Sequence, residues 1–107
     1  MSRKEEHILS LLKAKIREVM PPGVRVFLYG SRARGDYHRD SDWDLLILVN
    51  KPRAEMKDFD NLSYPLTEIG WENGAAVIPV VYGREEWSHP ASLLFRKSVE
   101  QDAIELT

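Results

Sequence analysis

The sequence predicts one α/β domain, a small mixed sheet with helices packed against it. Three observations lead there. Two short runs, residues 24–29 and 43–49, are dense in β-branched, aromatic and leucine side chains, as strands buried on both faces are. Two longer segments, residues 3–20 and 53–73, space their apolar residues by threes and fours, as amphipathic helices do. Helical and strand segments follow one another along 107 residues, which is room for a single core, so residues 1–107 are expected to form one domain.

Each element has a local reason. The first helix carries Ile8, Leu11, Leu12, Ile16 and Val19 on one face, with Ser2 as its N-cap and Pro21-Pro22-Gly23 as its stop. The strand at 24–29 ends in Gly30-Ser31, and a short helical turn over 32–34, capped by Ser31, closes at Gly35. The strand at 43–49 ends in Asn50-Lys51-Pro52. In the second long helix Met56, Phe59, Leu62, Leu66 and Ile69 fall on one face, but Pro65 must kink or split it. Gly74 suits the position just past its end. Residues 75–82 predict a third strand, which Pro79 demotes to a sheet edge or a bulge. Pro90 opens a last helix with Leu93, Leu94 and Val99 turned inward, and residues 103–106 suit a short closing strand.

Composition removes several function classes. No cysteine is present, which excludes disulfides, zinc–thiolate sites and cysteine nucleophiles. The longest apolar run, Leu45 to Val49, is far short of a membrane span, and the polar N-terminus is not a signal peptide. A cytoplasmic location is expected. The net charge of −2 argues against a general nucleic-acid binder.

The chemistry lies between residues 30 and 44. A glycine that ends a buried strand lets the backbone reverse sharply and lets a ligand come close. Ser31 and the amides after it then face an anion near Gly30. Alone, Gly-Ser is more often only a tight strand-to-helix connection. Asp42 and Asp44 open the next strand, where residues i and i+2 share a face roughly 6.6 Å apart. Two carboxylates at that separation repel by about 2.5 kcal/mol at an effective dielectric near 20, which a divalent cation such as magnesium would relieve. Alone, Asp40-Ser41-Asp42 also reads as a turn with Asp44 solvated at a strand end.

Joined, Gly30-Ser31-Arg32-Ala33-Arg34-Gly35 and Ser41-Asp42-Trp43-Asp44-Leu45-Leu46 give Gly-Ser-x10-Asp-x-Asp between two apolar strands. This resembles the nucleotidyltransferase fold of the DNA polymerase β superfamily, in its minimal bacterial and archaeal form. The likeness covers nearly the whole chain. It implies that Gly30 and Ser31 contact the β- and γ-phosphates of a nucleotide, and that Asp42 and Asp44 bind Mg2+ and serve catalysis. It implies attack of an acceptor hydroxyl on the α-phosphorus of a triphosphate, ATP by expectation, with release of pyrophosphate. It also implies a partner, since small domains of this family are often encoded beside a helical HEPN protein as a toxin–antitoxin pair. Of the two arginines, Arg32 is expected to face the nucleotide and Arg34 to pair with an acid such as Asp36. His38 and Arg39 are expected to be solvated.

One departure stands out. Family members that transfer nucleotides usually carry a third acidic residue on the next strand, yet no aspartate or glutamate occurs from Asn73 to Arg84. Apolar residues near Ile78 and Pro79 take its place. Asp36, Glu72 and Glu85 are the nearest substitutes in the sequence, and Glu72 and Glu85 read as solvated charges. Two functions therefore stand side by side. One is a transferase that moves a nucleoside monophosphate to a protein or other hydroxyl. The other is a pseudo-transferase that binds a nucleotide or a partner, with Trp87 or Tyr64 at the interface. The edge strand at 75–82 could pair with another subunit, although Pro79 works against it, and the oligomeric state is left open.

Overall fold

The computed structural model describes residues 1–107. Its first helix, α1 (Arg3–Val19), starts in a reciprocal cap: Glu5 N donates to Ser2 Oγ at 3.2 Å, and Ser2 N donates to the Glu5 carboxylate at 2.9 Å. Ile8, Leu12 and Ile16 are buried, Leu11 and Val19 only partly. Beyond the Pro21-Pro22-Gly23 stop the chain runs as β1 (Arg25–Tyr29), one helical turn α2 (Ser31–Arg34), and β2 (Trp43–Leu48).

The second long helix has three parts. A first turn, α3 (Met56–Asp58), widens into a π turn (Phe59–Ser63) and continues as α4 (Tyr64–Glu72). Pro65 is the cause, because it has no N–H to give the carbonyl four residues back, and the wide turn absorbs the loss. The wide turn also shifts the helical phase. Leu62, Leu66 and Ile69 reach the core as their spacing predicts, whereas Met56 and Phe59 do not and stand 77% and 44% exposed.

After β3 (Val77–Tyr82) come α5 (Arg84–Ser88), a 3₁₀ turn (Pro90–Ser92), α6 (Leu93–Asp102) and β4 (Ile104–Glu105). Glu86 accepts from Ala54 N at 2.8 Å and Gly83 N at 2.9 Å, so the polar run 84–86 clamps two loops together. In α6 only Val99 of the three expected residues is buried; Leu93 and Leu94 are 39% and 83% exposed. The inward face is instead Phe95, Val99 and Asp102, which places Leu94 about 100° off the buried line.

The four strands lie in the order β3-β2-β1-β4. β1 runs antiparallel to both β2 and β4, and β2 runs parallel to β3, so the sheet is mixed. β3 is an edge strand, as Pro79 predicts. The residues between strands 43–48 and 77–82 form the helical connection a parallel pair requires.

The two faces of the sheet differ. Val26, Leu28, Trp43, Leu45, Ile47, Val77 and Val81 join α1 and α4 in one apolar core. The opposite face carries Tyr29, Asp44 and Ile78 in one row, and Phe27, Leu46 and Val80 in the next. Phe95 of α6 covers part of it, 5.6 Å from the Tyr29 ring and 5.8 Å from the Tyr82 ring. Trp87 stacks edge-on to both Phe95 and Tyr82. No helix is long and apolar enough to cross a membrane.

Candidate nucleotide site

Gly30 makes the turn that the site is built around. Its φ of +76° is a conformation L side chains rarely adopt, and a Cβ placed there would lie 2.5 Å from Asp44 Oδ2. Gly30, not Ser31, is the N-cap of α2; its carbonyl accepts from both Ala33 N and Arg34 N at 3.0 Å. Ser31 is therefore the first residue inside the helix, where N–H groups have no internal partner. Gly35 ends the turn at φ +91°, donating to Ser31 O at 2.9 Å.

Register places the carboxylates. Asp44 pairs with Tyr29 on one side and Ile78 on the other, and Asp42 stands exposed just ahead of the strand. Burial, then the charge of Asp42, pushes the Asp44 carboxyl above its usual range, while Arg34 pulls the other way. The two acids thus feel each other in the folded chain. Burial and the neighbouring Asp44 also push the Tyr29 hydroxyl up to about 12, which keeps it protonated beside the carboxylate. The residues present suit a divalent cation: two repelling carboxylates beside a glycine whose missing side chain leaves the carboxylate accessible. Two carboxylates leave coordination places for phosphate oxygens and water, the pattern magnesium favours.

The two arginines of the turn go to opposite faces of the sheet, and Arg32 does not face the proposed nucleotide side as expected. Arg32 is turned to the core face of the sheet and is 4% exposed. Its guanidinium lies over the rings of Trp43 and Tyr37, at 4.6 and 4.7 Å, and pairs with Glu5. Nη2 donates to Ser41 O at 2.9 Å and Arg39 O at 3.2 Å, and Nε to Ser41 O at 3.3 Å. Every nitrogen is used, so Arg32 fastens the loop that delivers Asp42 and has no fork left for phosphate. The cause is period 2: Trp43 sits between Asp42 and Asp44 and points to the other face, and Arg32 follows Trp43. Arg34 is exposed and pairs with Asp36 at 3.2 Å, as expected, and also with Asp102 of α6 at 3.0 Å. It is the arginine on the Asp44 side. His38 and Arg39 are exposed, although His38 N donates to Ser41 Oγ at 2.9 Å in closing the loop.

Glu5 and Asp102 were not among the expected site residues. The Ser2-x-x-Glu5 capping pattern was the readable signal for Glu5. Nothing local marks Asp102, which lies 68 residues from its partner.

No third carboxylate joins Asp42 and Asp44. Ile78 is directly beside Asp44, and no group of three acidic or histidine side chains anywhere in the chain could share a metal ion. Asp36 is held by Arg34, while Glu72 ends α4 and Glu85 opens α5, both exposed.

Comparison with known proteins gives the family and the fold. A family model described as a nucleotidyltransferase domain matches residues 9–104. A relative from Methanocaldococcus jannaschii, named as a protein adenylyltransferase, is 36% identical over 58 residues, which cover 54% of this chain. The matched stretch spans 58% of that relative's length. Among solved structures, a toxin–antitoxin crystallised with AMP-PNP superposes with a TM-score of 0.62 at 17% identity, covering 99% of this chain and 73% of that chain. Two mutant structures of the MntA–HpeT toxin–antitoxin give TM-scores of 0.55 and 0.58 at 20% and 19% identity. They cover 96% of this chain and 71% and 72% of theirs. At these identities the solved structures establish the fold.

Proposed function

The chain belongs to the nucleotidyltransferase domain family, and we propose that it transfers AMP from ATP, with Mg2+, to a hydroxyl on a protein partner. The observation that carries this reading is the contact between Gly30 and Asp44: a positive-φ glycine leaves open the space beside a carboxylate that a second carboxylate repels.

In this reading Asp42 and Asp44 hold the metal, and Gly30 and Ser31 receive the β- and γ-phosphates. A cation held there would supply charge neutralisation to the bound triphosphate. Arg34 offers its guanidinium from the same side of the sheet. The acceptor oxygen forms a bond to the α-phosphorus, the bond from that phosphorus to the bridging oxygen breaks, and pyrophosphate leaves. Ile78 cannot accept a proton, so the acceptor's proton goes to water or to a group on the partner. A helical HEPN protein is the proposed partner, by family analogy and in keeping with toxin–antitoxin structural neighbours.

Ile78 favours a second reading, in which the chain binds nucleotide and partner with little turnover. Loss of a general base costs about 10² to 10⁴ in rate. Radiolabelled ATP and magnesium, incubated with the chain and its candidate partner, separate the two. Label on the partner, lost in both Asp42→Asn and Asp44→Asn, supports transfer. Partner binding without label on any acceptor overturns it in favour of the binding module.

A further inference from the structure

Arg34 reaches the Asp44 side of the sheet with its donors unequally used. Nε is taken by Asp36 and Nη1 by Asp102, while Nη2 makes no hydrogen bond. The two carboxylates that hold it differ. Asp36 is two residues away and 64% exposed, so water screens the contact. Asp102 is 14% exposed and sits on the last turn of α6, on the face that also buries Val99 and packs Phe95 against Tyr29. A side chain on a one-turn helix with a glycine after it has little else to fix its direction. The contact that sets it comes from the far end of the chain.

We propose that Asp102 is the positioning residue of the nucleotide site: by holding Nη1 of Arg34 it turns the free Nη2 edge toward the triphosphate, so that docking of α6 sets nucleotide affinity. This rests on the nucleotide-site reading above. Several observations support it. Arg32, the other arginine of the turn, has no donor group free of a partner. Arg34 lies on the face of the sheet that α6 covers, which is the face that carries Tyr29 and Asp44. β4 follows Asp102 within two residues and is anchored to β1 by the Arg25–Glu105 pair at 2.8 Å, which fixes the end of α6 over the site. A planar guanidinium gains most from such fixing, because its donors are already set in one plane and only its direction must be chosen.

The test is a double-mutant cycle read by ATP binding in the presence of magnesium, with melting temperature recorded without ligand. Asp102→Asn is expected to weaken binding about tenfold, as is Arg34→Gln. The double variant is expected to be no weaker than Arg34→Gln alone, because Asp102 acts only through that side chain. Asp102→Glu, which keeps the charge, is expected to bind within about threefold of the wild type, and it carries the test if the asparagine variant fails to fold. Additive losses, or wild-type affinity in Asp102→Asn, overturn the positioning role and leave the nucleotide site standing. Absence of any ATP binding by the wild-type chain overturns the nucleotide site itself.

Discussion

Gly30 and Arg32 occupy neighbouring turns of backbone and fail in different ways when changed. Gly30→Ala would drive a methyl group to 2.5 Å from Asp44 Oδ2 and force an L side chain to a φ of +76°. The backbone strain costs about 1–2 kcal/mol, and on the proposed function the displaced carboxylate would no longer meet the metal. The expected outcome is a modest drop in melting temperature and, if the proposed function holds, no thermal shift with magnesium and ATP where the wild type is expected to show one. Arg32→Met removes the donors that Ser41 and Arg39 carbonyls use and leaves Glu5 without its partner. The expected cost is about 3 kcal/mol in urea unfolding, because buried charged hydrogen bonds are lost. A silent Arg32→Met would show that the loop before Asp42 is held by something else.

At the scale of elements, phase decides what the sequence could show. The strands at β1 and β2, the Ser2 cap, the edge position of β3 and the pairing of Asp42 with Asp44 follow from local pattern, and they were legible. The helix from Met56 to Glu72 was legible in its second half only, since a π turn moves Met56 and Phe59 out of register with Leu62, Leu66 and Ile69. In α6 two adjacent leucines suggested the wrong face. Leu94→Ser is expected to change stability by less than about 0.5 kcal/mol, whereas Val99→Ala should cost about 2 kcal/mol. Equal losses in denaturant titrations of the two would restore the leucine face. The Arg34–Asp36 pair was legible and a capping pattern marks Glu5, but nothing local shows that Glu5 pairs with Arg32 or that Asp102 pairs with Arg34.

For the molecule as a whole, the ends are tied to the middle by charge. Hydrogen bonds from Arg25, then Thr107, hold the Glu105 carboxyl down to about 2, and bonds from Ser2, then Arg32, do the same to Glu5, against an ordinary value of 4.5. Both groups have folded values below their unfolded ones. Their contributions are present above about pH 4.5 and disappear as pH falls toward 2. Glu105→Gln is expected to flatten the fall in melting temperature across that window and to change its slope little above pH 6. An unchanged acid limb would remove Glu105 from the account.

The pairing of β4 with β1 also sets an order in time. Phe27 meets Glu105 and Leu28 meets Ile104, so one edge of a central strand waits for residues made long after it. Contacts so distant in sequence close late, since the loop entropy is spent before they return anything. Until then β1 presents an unpaired row of N–H and C=O groups, the form that templates strand addition by a stranger. A chain cut after Asp102 is expected to aggregate within its first hours at micromolar concentration, detectable by light scattering, while the intact chain stays clear. During synthesis, then, the hazard for this protein is greatest in the interval when β1 has emerged but β4 has yet to arrive.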